Sequence, residues 1–235
     1  MQLSPGKLLG MKRLADQNGI FKMTATDQRP PIKNPIAKHL NVSEAPWGEV
    51  ARFKKMLIEN LQEHSTALLL DPHFAIPYSM NIFNPKKGLV VTLEDSIFLD
   101  TDEGRVSKNI DNWSVSKIKR MGADAVKVLA WYRPDADKKV LDAQQQYVQK
   151  IGDECAKHDI LFLFELLVYP LSKDLYQTKE YVEMQNKKTD NVLESVREFS
   201  NEKYGVDVFK LESPVNVNKI TESDLKAFKE MGHIA

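Results

Sequence analysis

The chain has 235 residues, 42% of them apolar, and its 33 Lys+Arg are matched by 33 Asp+Glu. That length suits one α/β barrel, and a net charge of zero lacks the basic excess of a nucleic-acid binder. The single cysteine, Cys155, excludes a disulfide framework and a multi-cysteine metal site and points to a reducing cytoplasm, while no apolar run suits a signal peptide or a membrane span.

In chain order, the first β-branched and apolar run is Gly19–Asp27. The proline-rich stretch Pro30–Pro46 after it reads as a surface loop. Glu49–His64 reads as a helix, with Phe53, Met56, Leu57 and Leu61 at helical spacing. The runs Ala67–Phe74 and Gly88–Leu93 follow, then a polar excursion, Asp95–Asp111. A short helix, Val115–Met121, closes at Gly122 and leads into the run Asp124–Tyr132. The helix Val140–His158 precedes the run Ile160–Tyr169, which opens into a long polar connection, Tyr169–Asp190. The helix Val192–Glu202, the run Val206–Val215 and the helix Glu222–Met231 complete the pattern.

Short, nearly continuous apolar runs alternating with amphipathic helices predict βαβ units on a parallel sheet, in one domain over residues 1–235. Long segments follow strands rather than precede them, as functional loops do on the C-terminal face of a TIM (β/α)8 barrel. Six strands are found where a closed barrel needs eight. The fold expected is therefore an α/β TIM barrel truncated after its sixth βα unit, with strands seven and eight beyond Ala235.

Three of the runs carry ionisable residues where a core strand has none. Lys127 sits in ADAVKVLAWY, Glu165 in ILFLFELLVY and Lys210 in GVDVFKLESPV. Period two puts Lys127 on a face with Ala125 and Leu129, Glu165 with Leu163 and Leu167, and Lys210 with Val208 and Glu212. The opposite faces are wholly apolar and suit helix packing. The three charged groups thus point together into the barrel, where burial without partners would cost several kcal/mol each. A structural ion-pair network would satisfy them, but three such groups in step on consecutive strands favour a functional site. An amine with apolar neighbours beside a second lysine is biased toward its neutral form, the form that attacks a carbonyl to give a Schiff base. A carboxylate beside it can move protons to and from substrate hydroxyls. This is the equipment of a class I, metal-independent aldolase.

Five stretches carry a resemblance: ATDQRPPI, LLLDPHF, GADAVKVLAWYRPD, IGDECAKHDILFLFELLVY and YGVDVFKLESPVNV. Through them the chain resembles the class I tagatose 1,6-bisphosphate aldolases of the LacD type and the related sulfosugar-phosphate aldolases. The resemblance implies a (β/α)8 barrel that splits a ketohexose bisphosphate into dihydroxyacetone phosphate and glyceraldehyde 3-phosphate. It implies Lys210 as the Schiff-base lysine, Glu165 as general acid/base, and Lys127 as the group that holds substrate oxygens and tunes Lys210. It implies that Asp27, Gln28 and Arg29 contact substrate hydroxyls or phosphate. Two departures stand out. Pro30 and Pro31 replace the usual glycine after D-Q-R, and Arg133 adds a cation after the fourth run, as in the sulfosugar branch.

Further candidates are carboxylates at strand ends. Asp71 and Glu94 could equally cap local backbone, while Glu212, two residues after Lys210, faces the substrate side. Five histidines show no metal-ligand spacing, so no metal is expected, and nothing calls for a cofactor. His73 reads as a loop histidine and Cys155 as helix packing. The expected partner is a small sugar phosphate, with no nucleic acid and no membrane; homo-oligomer formation stays open. Three functions compete: the ketose-bisphosphate aldolase, its sulfosugar-phosphate counterpart, and a non-catalytic sugar-phosphate sensor on the same scaffold.

Overall fold

A computed structural model of the protein describes residues 3–101, 103–171, 189–215 and 220–235. Its centre is a six-stranded, all-parallel sheet formed by β1 (Met23–Ala25), β2 (Ala67–Leu70), β3 (Gly88–Thr92), β6 (Ala125–Trp131), β7 (Leu161–Leu167) and β8 (Val208–Leu211). The strands lie in that order, so every chain-successive pair in the sheet is also a spatial pair. A short antiparallel hairpin, β4 (Leu99–Thr101) with β5 (Gly104–Val106), is inserted after β3. The six expected strands are all present, each shorter than its apolar run.

Between the strands lie α2 (Pro30–Leu40), α3 (Trp47–Leu61), α4 (Ala75–Ser79), α5 (Val115–Arg120), α6 (Lys138–Lys157) and α7 (Thr189–Phe199); α8 (Glu222–Ile234) follows β8. Alternation of side chains sorts the sheet into two surfaces. Leu68, Leu70, Val91, Val126, Val128, Phe162, Phe164 and Leu166 form the main core with the helices. Phe164 and Tyr132 meet Phe199 of α7 edge to face, with centroids 5.0 and 4.8 Å apart. Ala67, Leu69, Val90, Ala125, Leu161 and Leu163 line the other surface, the inside of the barrel.

The structure differs from the sequence expectation at three places. Pro30–Pro46 is not simply a loop, because α2 begins at Pro30. Proline suits a first helical turn, where its missing N–H has no helical partner to lose and its φ is already helical. The polar excursion contains the β4–β5 hairpin. The buried side of α3 is Val50, Ala51, Lys54 and Ile58, whereas Phe53, Met56 and Leu61 are substantially exposed. Phe53 and Met56 instead line an apolar groove with Ile32, Pro35 and Ile36 of α2.

An unanticipated helix, α1 (Pro5–Leu14), closes the N-terminal end of the inner surface. Leu14 is fully buried against Ala67, Leu69 and Leu161. Asp159 accepts hydrogen bonds from Gly6 N and Lys7 N at 3.0 and 3.3 Å, and Lys7 Nζ reaches Asp207 Oδ2 at 2.7 Å. A Cβ at Gly88 would sit 2.8 Å from both Arg13 O and Leu14 Cδ2, so the plug seats this closely only against glycine. Residues 172–188, most of the polar connection after the fifth run, lie outside the described residues.

Candidate active site

Toward the C-terminal ends of the strands, the inner surface changes from apolar to charged. Lys127 Nζ lies 2.9 Å from Asp27 Oδ2, 2.6 Å from Glu94 Oε1 and 3.0 Å from Glu165 Oε2. Glu165 Oε1 accepts a hydrogen bond from Lys210 Nζ at 2.5 Å. Parallel pairing explains why residues so distant in sequence meet. Thr92 stands opposite Lys127, and Glu165 is the register partner of both Leu129 and Lys210. Lys127, Glu165 and Lys210 therefore occupy one inward stripe, with Asp27 and Glu94 reaching it from just beyond β1 and β3.

Burial differs sharply across the cluster. The Lys127 side chain is 0% exposed, and Asp27, Glu94 and Glu165 are also buried, but 46% of the Lys210 side chain meets solvent. The apolar flanks of both lysines predict that each is removed from water; only Lys127 is so removed, because Lys210 lies on an edge strand of the described sheet. Nor do the two ammonium groups face each other directly, since Glu165 contacts both.

Burial pushes the Asp27 carboxyl up, but the charges of Lys127 and Lys210 and the hydrogen bonds from Lys127 and Thr92 outweigh it and hold Asp27 below the usual carboxylate range. Thr92 Oγ1 donates to Asp27 Oδ2 at 3.1 Å. For Glu94 burial wins, aided by the charge on Asp27, and its carboxyl is raised to about 7 despite Lys127 and Arg29. Sequence reasoning missed Thr92. The available signal was a hydroxyl two residues after Val90, on the inward side of GLVVTL.

The remaining predicted residues divide into two groups. Gln28 and Arg29 line a small recess with Asp27, Pro30, Glu94 and Ser96 at the mouth. Arg29 is buried, donates to Glu94 O at 2.8 Å and lies 3.6 Å from Asp95. Asp71, Arg133 and Glu212 are all buried but engaged elsewhere. Asp71 pairs with Lys54 of α3, and its Oδ1 accepts from His73 N and Phe74 N at 2.9 and 2.7 Å, so it organises the turn after β2. Arg133 makes a bidentate pair with Asp135, both bonds 2.8 Å, and donates to Tyr169 O. Glu212 Oε1 accepts from Val168 N at 2.6 Å. Over the ends of β6 and β7, the hairpin lays the guanidinium of Arg105 4.6–5.2 Å from the rings of Phe98, Trp131 and Tyr169.

A family model described as "DeoC/LacD family aldolase" matches residues 21–233. The chain belongs to that family. It is 32% identical over 220 residues to tagatose 1,6-diphosphate aldolase 1 of Streptococcus mutans, covering 94% of this chain and 66% of that protein. To tagatose 1,6-diphosphate aldolase 2 of Enterococcus faecalis it is 34% identical over 218 residues, covering 93% and 64%. The chain thus spans slightly less than two thirds of the length of these relatives. Among solved structures, an archaeal fructose 1,6-bisphosphate aldolase superposes with a TM-score of 0.62 at 17% identity, covering 97% of this chain and 76% of that one. A fructose-bisphosphate aldolase from Slackia heliotrinireducens superposes with a TM-score of 0.63 at 8% identity, covering 100% and 71%. At such low identities the likeness shows the barrel fold alone. Among the described residues, no helix is long and apolar enough to cross a membrane.

Proposed function

We propose that the whole protein is a class I aldolase that cleaves a ketohexose bisphosphate of the tagatose 1,6-bisphosphate type into dihydroxyacetone phosphate and glyceraldehyde 3-phosphate. The observation that carries this reading is one carboxylate, Glu165, held between two lysines at the C-terminal end of the sheet. In the forward reaction the neutral Lys210 amine adds to the C2 carbonyl, and the carbinolamine loses water to an iminium. Glu165, 2.5 Å from that nitrogen, takes the C4 hydroxyl proton as the C3–C4 bond breaks, and the bonding pair moves into the iminium to give an enamine. Glyceraldehyde 3-phosphate leaves. Protonation of the enamine at C3 and addition of water to the iminium then release dihydroxyacetone phosphate and restore the amine.

Lys127, whose three N–H donors go to Asp27, Glu94 and Glu165, attracts the substrate oxygens through its ammonium charge rather than by a hydrogen bond of its own. Gln28 and Arg29 are assigned to hydroxyls or phosphate at the recess. Two further βα units, carrying the main phosphate grip, would complete the barrel beside β1 and β8. The sulfosugar alternative leaned on Arg133, whose guanidinium is engaged by Asp135 and the Tyr169 carbonyl, so the bisphosphate reading is preferred.

The test is to incubate the full-length protein with tagatose 1,6-bisphosphate, reduce with borohydride and map the adduct by peptide mass. The expected adduct is on Lys210 and is lost in Lys210→Ala. An unlabelled Lys210, or a Lys210→Ala protein of unchanged turnover, defeats the aldolase reading and leaves the sensor. Faster turnover of a sulfonated ketose phosphate would move the substrate to the sulfosugar class.

A further inference from the structure

Three carboxylates, Asp27, Glu94 and Glu165, converge on one fully buried ammonium, Lys127; among the described residues the other cation that contacts these carboxylates is Lys210 at the rim, while Arg29 is taken by Asp95 and the Glu94 carbonyl. With every group ionised, three negative charges would face two positive ones. An unmatched charge in such a place is relieved by taking up a proton rather than by staying charged. Geometry identifies which carboxyl carries it. Asp27 Oδ2 accepts from both Lys127 and Thr92, and the two carboxyl oxygens of Glu165 each lie within 3.0 Å of a different lysine. Glu94 has a single side-chain bond, from Lys127 to Oε1, while its Oε2 is buried with no partner among the described residues.

We propose that Glu94 is a positioning residue that works as the neutral acid, holding Lys127 Nζ through Oε1 without claiming its charge, so that Lys127 stays paired with Asp27 and Glu165. The role in turnover rests on the aldolase reading; the protonation state does not. Ionisation of Glu94, with its proton lost to solvent, draws Lys127 toward Glu94. It thereby loosens the contact with Glu165, the carboxylate assigned to the C4 hydroxyl proton. The groups that face Glu94 are consistent with a midpoint near neutrality. Asp27 from β1 opposes its ionisation, Lys127 from β6 and Arg29 before α2 favour it, and burial sets it at about 7. Tyr147 of α6 feels Glu94, Lys127 and Asp95 and is itself raised well above its ordinary value, chiefly by burial, so it stays neutral. Glu165 and Lys210 lie beyond Lys127.

Two measurements on the full-length protein test this. The first needs no substrate: an infrared titration between about pH 5.5 and 8.5. It should show the C=O stretch of a buried, un-ionised carboxyl lost with a midpoint near 7 and absent from Glu94→Gln, whose amide copies the neutral acid in shape. No such band in the wild type, or a band that survives in Glu94→Gln, overturns the proposal. The second follows the rate of borohydride trapping with tagatose 1,6-bisphosphate. The ratio of wild-type to Glu94→Gln rates should fall roughly tenfold between pH 6 and 8, because about a tenth of a group titrating at 7 stays neutral at 8. A ratio independent of pH overturns the positioning role. If the wild type is not trapped at all, the aldolase reading fails, and the infrared titration still decides whether Glu94 carries the proton. Circular dichroism of Glu94→Gln, with Lys127→Met as a control that removes the other partner, separates these effects from misfolding.

Discussion

The two ends of the inner barrel surface are built from the same strands yet obey opposite chemistry. At the N-terminal end, Leu14 of α1 seals an apolar layer of Ala67, Leu69, Ala125, Leu161 and Leu163, with the Lys7–Asp207 pair at its margin. A few residues along the same strands, Lys127, Glu165 and Lys210 project from the same face into a network of ion pairs. The first end is held by burial of apolar area, which is additive and tolerant of modest change. The second is held by charges that are stable only together, since each buried carboxylate depends on a lysine for its place. Closing one end with a helix leaves the other free for chemistry, the division expected between the stability face and the reactive face of a barrel.

The sharpest way to break this contrast is Lys127→Met. Removal of the ammonium strands three carboxylates, and the expected loss is about 3–5 kcal/mol near pH 8, measured by urea unfolding. The loss should shrink toward pH 5 as the orphaned acids take up protons. Leu14→Ala at the opposite end should cost about 3 kcal/mol through the cavity it leaves, with little dependence on pH and no change in Lys210 trapping. A strong pH dependence of the Leu14→Ala loss would erase the distinction between the two ends.

Glu94 gives a smaller but signed effect. Its carboxyl is raised in the folded chain to about 7 from an ordinary value of 4.5, so between those values the folded state binds more protons than the unfolded state. The stabilisation is complete below about pH 4.5 and is lost as pH rises through 7. Glu94→Gln should remove about 3 kcal/mol of that decline, read as a flatter plot of unfolding free energy against pH. Lys210→Ala should have the least effect on stability, under about 1 kcal/mol, because the side chain is half exposed, yet it should abolish trapping. Together these variants separate the residues that hold the site from the one assigned to react.

Much of this was legible in the residues. Continuous apolar runs alternating with amphipathic helices are enough for a parallel sheet, because a strand buried on both faces leaves no polar alternation. Period two then puts Lys127, Glu165 and Lys210 on one face, since a side chain's direction along a strand is a local property. The sequence did not reveal α2 behind its prolines, because Pro30 and Pro31 signal a break unless they occupy the first turn. The true buried face of α3 was hidden as well. Lys54 enters it only because Asp71 waits as an ion-pair partner, and local periodicity cannot see that contact.

What the sequence by itself determined, then, was the run of βα units, the inward face of the fourth, fifth and sixth strands and the resemblance to the LacD-type aldolases, all of which depend on local order along the chain. Tertiary structure alone decided which charges meet. Asp71 and Arg133, plausible site residues by position, were taken by Lys54 and Asp135, while Thr92 and Glu94 joined the cluster. Parallel pairing brings together residues separated by 33 to 100 positions, as in the bonds from Lys127 to Glu94 and Asp27. The protonation of a buried carboxyl is set by the sum of those neighbours and by the water it has lost. Neither quantity exists until the strands are side by side.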